Sequence, residues 1–150
     1  AQHVEDDPPT AEEVFELRAE AHHLFSSLPT GHPVRGIVVG GSGTNLIRLT
    51  TEEGDEDTPD SGLIDVERTA KAIEIVKASP SAQLVESYGL RERRVLQMAA
   101  GASLIEAALD CYNLSALEAS DASLREGTII ACEQAGDAWR EELVRLVVGS

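Results

Sequence analysis

The chain reads as an α/β protein, helix-rich, with a small sheet flanked by helices, and three observations predict it. Hydrophobic residues are 42% of the 150 but aromatics only 3%, so the core has to be built from Leu, Ile, Val and Ala, a composition that favours helices packed on a small sheet. Several stretches space their apolar residues by three and four, as one buried helix face requires. Two short apolar runs, about 35–40 and 114–120, each end in a turn and then resume with helical spacing, as strand-to-helix junctions do. The length suits one domain spanning residues 1–150 and is too short for two ordinary ones.

The elements follow in order. Asp7-Pro8-Pro9-Thr10 before Ala11-Glu12-Glu13 predicts a helix start, with Thr10 as N-cap and Glu13 completing a capping box. Val14, Leu17, Ala21, Leu24, Phe25 and Leu28 mark its buried face, and the Pro29–Pro33 stretch ends it near residue 27. A strand at about 35–40 leads through a glycine turn into a short helix at 45–50. The acidic segment 51–62 is expected to be a flexible loop. Asp65 caps a helix running to about 78, and Ser79-Pro80 restarts another that Gly89 closes. One long helix is expected at 91–112, interrupted in composition only by the small residues Ala99-Ala100-Gly101-Ala102-Ser103. Such a patch permits close helix packing, or leaves room for part of a ligand. A second strand at 114–120, a helix at 123–134 and a last short helix at 138–148, bearing Trp139, complete the chain. No internal repeat is visible.

Charge narrows the functional classes. The 27 acidic and 12 basic side chains give a formal net charge of -15, which argues against a free-standing binder of nucleic acid or of an anionic membrane. A polyanionic ligand then needs a local basic or amide-rich pocket. The acidic runs at 5–7 with 12–13, and at 52–57, read as solvated charge. Cys111 and Cys132 lack metal-ligand spacing and are expected as reduced, buried thiols of a cytoplasmic protein. His3, His22, His23 and His32 form no ligand set, since neighbours such as His22 and His23 project about 100° apart on a helix. No apolar run of about 18 residues suggests a membrane span.

The chemistry is concentrated in Ile37-Val38-Val39-Gly40-Gly41-Ser42-Gly43-Thr44-Asn45-Leu46. Glycines here let the backbone turn tightly and approach an anion, while the first amides of the following helix are unpaired and carry partial positive charge. Ser42, Thr44 and Asn45 add side-chain donors. The spacing matches neither the dinucleotide fingerprint nor a Walker loop, and the same residues also suit a strand-to-helix turn that binds nothing. A second junction, Ser120-Asp121-Ala122-Ser123-Leu124-Arg125-Glu126-Gly127, sets an Arg-Glu-Gly in the first turns of a helix, where the glycine costs about 1 kcal/mol relative to Ala.

Three blocks in this order resemble the exopolyphosphatase and guanosine pentaphosphate phosphohydrolase (Ppx/GppA) phosphatases of the actin-like ATPase superfamily. The segment from Val39 to Leu49 looks like that family's Gly-Gly-Thr-Ala-Thr-Thr-Leu-Ala stretch. Arg94, seven residues before Gly101-Ala102, is similar to its Arg-Ala-Asp…Gly-Ala block. The segment from Ser120 to Gly127 resembles Ser-x-x-Gly-Leu-Arg-Glu-Gly, and Asp7-Pro8-Pro9-Thr10 resembles an Asp-Pro-Pro-Ser helix opening. Leu96 stands where the family has an acid and Ser123 where it has a glycine.

The resemblance implies the later part of the second, ribonuclease-H-like domain of such a phosphatase, contributing one wall of a phosphate or nucleotide cleft. Gly40, Gly41, Ser42, Gly43, Thr44, Asn45, Arg94 and Arg125 are its implied phosphate-binding residues. It also implies a phosphate-bearing ligand such as polyphosphate or pppGpp and a divalent metal such as Mg, for which no ligands are evident. The family's Asp-x-Gly-Gly-Gly-Ser loop and general-base glutamate are absent from these residues, so the chain is expected to be inactive alone. The alternative is a non-catalytic nucleotide-binding or oligomerisation module of the same fold, to which the changes at Leu96 and Ser123 lend support. A homo-oligomer, or a partner supplying missing strands, is a further expectation.

Overall fold

The structure, a computed structural model, describes residues 4–28, 31–51, 62–122 and 124–140. Most of the expected acidic loop, residue Ser123 and all but the first residues of the last expected helix lie outside them.

Helix α1 (Ala11–Ser26) opens with the expected capping box. The Glu13 amide donates to Thr10 Oγ1 at 3.2 Å, and the Thr10 amide donates to Glu13 Oε2 at 2.8 Å. The Glu13 carboxylate also accepts from the amides of Glu5 and Asp6, so this acid ties the incoming chain to the helix rather than only facing water. Asp7 has a similar part. Its carboxylate accepts from the Ser81 amide at 2.8 Å and from the Ser81 hydroxyl, so a residue of the first acidic run caps a helix 74 positions away.

Strand β1 (Ile37–Val39) and helix α2 (Gly41–Thr50) follow. The helix starts four residues earlier than the sequence suggests. Gly40 alone makes the turn, with φ at +87°, and Gly41 and Gly43 already lie in the first helical turn. Strand β2 (Gly62–Ile64) was not anticipated, because three residues are too few for an alternation to register. Helix α3 (Val66–Ala78) is capped by Asp65, whose side chain accepts from the Arg68 amide at 2.8 Å. Helix α4 (Ser81–Tyr88) ends at Gly89 in the left-handed conformation, as expected.

The expected long helix is two. Helix α5 (Glu92–Val95) stops at a tighter turn, in which the Gln97 amide donates to the Arg94 carbonyl, and α6 (Met98–Tyr112) begins just after it. Val95, Met98 and Ala99 are all buried, so the apolar spacing continues across the interruption and conceals it. Strand β3 (Leu117–Ser120) and helix α7 (Leu124–Ala135) come last, before a single 3-10 turn. Cys111 is exposed and Cys132 half-buried, so the thiols are not the core residues the sequence suggested.

In the sheet, β3 is central, parallel to β1 and antiparallel to β2. Val38, Ile64, Leu117 and Ala119 turn toward the helices, where α6 is packed by α1, α2 and α3 around Leu46, Ile47, Ile73, Ile105 and Leu109. The small patch of α6 serves packing: Ala99, Ala102 and Ser103 are buried in this core. Ile37, Val39 and Leu63 face the other way and are more than half exposed. Among the described residues no helix is long and apolar enough to cross a membrane.

Two outcomes follow from this packing. Leu46→Ala, at a side chain with no exposed surface, should cost about 2–5 kcal/mol, read as a lower urea midpoint. Its backbone-amide and side-chain hydrogen bonds hold Glu13 from its ordinary pKa of 4.5 down to about 2. A carboxylate depressed in this way stabilises the fold fully above pH 4.5, and that contribution fades as pH falls toward 2. Glu13→Gln should therefore lose stability at neutral pH and show a flatter stability profile between these limits, as measured by denaturant titration at each pH.

Candidate anion-binding site

Parallel strands β1 and β3 end side by side, with Val39 opposite Ser120. The Gly40 amide donates to the Ser120 carbonyl at 3.3 Å, which fixes the turn where the chain leaves the sheet. Helix α2 starts at once, so its N-terminus sits at the carboxyl ends of the strands, where open α/β sheets place ligands. No side chain caps this helix. Its first amides are therefore available to a ligand, and the aligned peptides place roughly half an elementary charge there, positive in sign.

The interruption between α5 and α6 brings a second group to the same place. A recess of about 10 Å³ is lined by Gly41, Ser42, Asn45, Arg94, Gln97 and Met98. That volume holds about one water, or one oxygen of an anion. A Cβ built on Gly41 would stand 2.9 Å from Arg94 Cζ, 3.0 Å from Nη1 and 3.2 Å from Nη2. The guanidinium thus lies against the positive end of α2. Arg94 is exposed, and no carboxylate among the described residues pairs with it. Gly101 of α6 faces Ser42: a Cβ there would sit 3.4 Å from Ser42 Cβ and 3.5 Å from its Oγ.

The eight expected site residues therefore divide. Gly41, Ser42, Asn45 and Arg94 meet at the recess. Gly40 supplies the turn, Gly43 is buried where a Cβ would come within 2.8 Å of Val38 Cγ1, and Thr44 is half-buried beside them without lining the recess. Arg125 is not brought into the recess. It is exposed in the first turn of α7, the helix that leaves β3 as α2 leaves β1. Gln97 and Met98 were not anticipated, because their place depends on the interruption after α5 that periodicity hides.

This donor set suits an anion. Amide N–H groups, a guanidinium and the polar tips of Ser42, Asn45 and Gln97 surround the recess, and no carboxylate lines it. A divalent cation held by these side chains does not fit, since hard cations take carboxylate oxygens. No group of three or more His, Cys, Asp or Glu side chains able to hold a metal occurs among the described residues.

Comparison with known proteins agrees with this frame. Two crystal structures of Aquifex aeolicus are similar to it. One, a type II variant of that organism's Ppx/GppA phosphatase, has a TM-score of 0.73 at 22% identity, over 87% of this chain and 44% of its own. The other, the Aquifex aeolicus member of the Ppx/GppA protein family, has a TM-score of 0.76 at 21% identity, over 90% of this chain and 45% of its own. This chain thus spans less than half the length of either. No curated protein matches it. The model of the Ppx/GppA phosphatase family matches residues 1–135, and with the helix-rich α/β fold shared with these structures it establishes that the chain belongs to the Ppx/GppA phosphatase family.

Proposed function

We propose that the chain supplies one wall of a phosphate or nucleotide cleft of an exopolyphosphatase-like or pppGpp phosphohydrolase-like protein, binding phosphate groups without hydrolysing them alone. The observation that carries this reading is the meeting of two positive groups with no acid between them. Arg94 stands over the uncapped N-terminus of α2 with no carboxylate partner among the described residues. Such a juxtaposition is unfavourable until an anion bridges it, and a phosphate oxygen accepting from both relieves it. The arrangement also answers the problem posed by a net charge of -15, because a phosphate-bearing ligand meets a local site of the opposite sign.

Hydrolysis of a phosphoanhydride asks for more: a positioned water, a base to orient it, and groups that neutralise charge on the transferred phosphoryl. This recess provides only the last of these. Arg125, beginning the neighbouring helix, is assigned to a longer ligand extending past the recess rather than to the first phosphate. A divalent metal, expected from the family resemblance, would have to arrive on the phosphate itself or on groups outside this recess.

An interaction module of the same fold is the second reading. The bare side of the sheet, where Ile37 is 53%, Val39 58% and Leu63 61% exposed, favours it, since apolar patches of this kind mark contact surfaces.

Calorimetric titration with pyrophosphate, ADP and GTP separates the two. Binding of at least one is expected, and Arg94→Ala should weaken it by roughly 10–100-fold, the worth of a hydrogen bond from a charged donor. Gly41→Val should abolish it. Failure of all three ligands to bind favours the interaction module. Phosphate release from polyphosphate or pppGpp by the purified chain, above the rate in buffer, would refute the inactive-wall assignment.

A further inference from the structure

The three glycines around the turn answer three different demands. Gly40 has a backbone angle that side chains resist, and Gly43 has no room beside Val38. Gly41 meets neither restriction. Its φ is not in the left-handed region, and the three atoms nearest to a Cβ there all belong to the far end of an exposed, flexible arginine.

The three distances describe how that arginine lies. From the point a Cβ would occupy, Cζ is nearest at 2.9 Å, with Nη1 at 3.0 Å and Nη2 at 3.2 Å. Three nearly equal separations with the central carbon closest mean that the guanidinium presents its flat face to Gly41. Its N–H donors all lie in the plane of the group, so this contact uses none of them. No described residue accepts a hydrogen bond from the Arg94 side chain either.

We propose that Gly41 is a positioning residue for Arg94: the space left by its missing side chain seats the guanidinium face-on over the start of α2 and leaves the edge donors directed at the ligand. Its functional consequence rests on the phosphate-binding reading above, but the seating itself does not. Gly41 thereby acts through Arg94, in addition to whatever its own amide donates. Preorganisation is the gain. An exposed arginine otherwise samples many rotamers and surrenders that freedom on binding.

Gly41→Ala tests this directly, because the added methyl displaces a flexible side chain and not the backbone. Alanine is also the better helix residue, so the melting temperature should hold or rise. Two readouts decide. In the ligand-free protein, the Arg94 Nε–Hε resonance should stand apart from those of the other exposed arginines and rejoin them in Gly41→Ala. Pyrophosphate affinity should fall about tenfold in Gly41→Ala, yet the same substitution should have no further effect once Arg94→Ala is present, as coupled residues behave in a double-mutant cycle.

An unchanged Arg94 resonance in Gly41→Ala overturns the proposal. Equal losses of affinity with and without the arginine overturn it too, since Gly41 would then act independently of Arg94. If the wild-type chain binds none of pyrophosphate, ADP and GTP, the phosphate-binding reading fails while the resonance still decides the seating.

Discussion

Helix α6 is the element to which the others are referred, because a helix apolar over most of its surface has to be covered over most of its surface. Seven of its residues are buried, from Met98 to Leu109. Helices α1, α2 and α3 pack on it, and the ion pair from Arg18 to Glu106 at 2.7 Å fixes α1 at its edge. Gly101 faces Ser42 of α2 with no side chain of its own to hold the two helices apart. The place of α2 in turn fixes the amides at its start. Packing and the recess therefore use the same short stretch of α6.

The recess depends on two chain reversals. One is Gly40, which takes the chain from β1 into α2 without an intervening loop. The other is the tight turn at Leu96 and Gln97, which ends α5 so that Arg94 and the start of α6 both reach the recess. Neither element alone offers more than an ordinary helix end or an ordinary surface arginine. Together they set a charge beside a set of free donors.

Helix boundaries were legible in the sequence where a side chain caps the backbone. Thr10 with Glu13, Asp65, and Gly89 each leave a local signature, and the structure has each cap where that signature predicts it. Long-range constraints were not legible: nothing local to Asp7 says that it caps Ser81, and nothing in Gly62-Leu63-Ile64 alone says strand. Glycine propensity misplaced the start of α2, because the close contacts that favour glycine at 41 and 43 are made with residues elsewhere in the chain. For the candidate site, the glycine run stood out by its own turn residues and donors and Arg94 through family resemblance, and the structure brings Gly41, Ser42, Asn45 and Arg94 together. Gln97 and Met98 were hidden by an apolar period that ignores the helix interruption. Arg125 shares a motif with the family but belongs to a neighbouring helix rather than to the recess.

The pairing of Ile37 with Glu118 also carries a temporal meaning. Helices and their caps close over a few residues, whereas this strand pair joins points far apart in the chain and must first overcome a long loop's entropy. The start of α2 acquires its fixed position only when β3 has docked beside β1. A nascent chain that has made the glycine run and Arg94, but not yet Leu117–Ser120, holds the donors without the frame that aims them. The geometry of the recess is then among the last features the folding chain acquires, and any ligand that binds there would favour the docked state over its precursors.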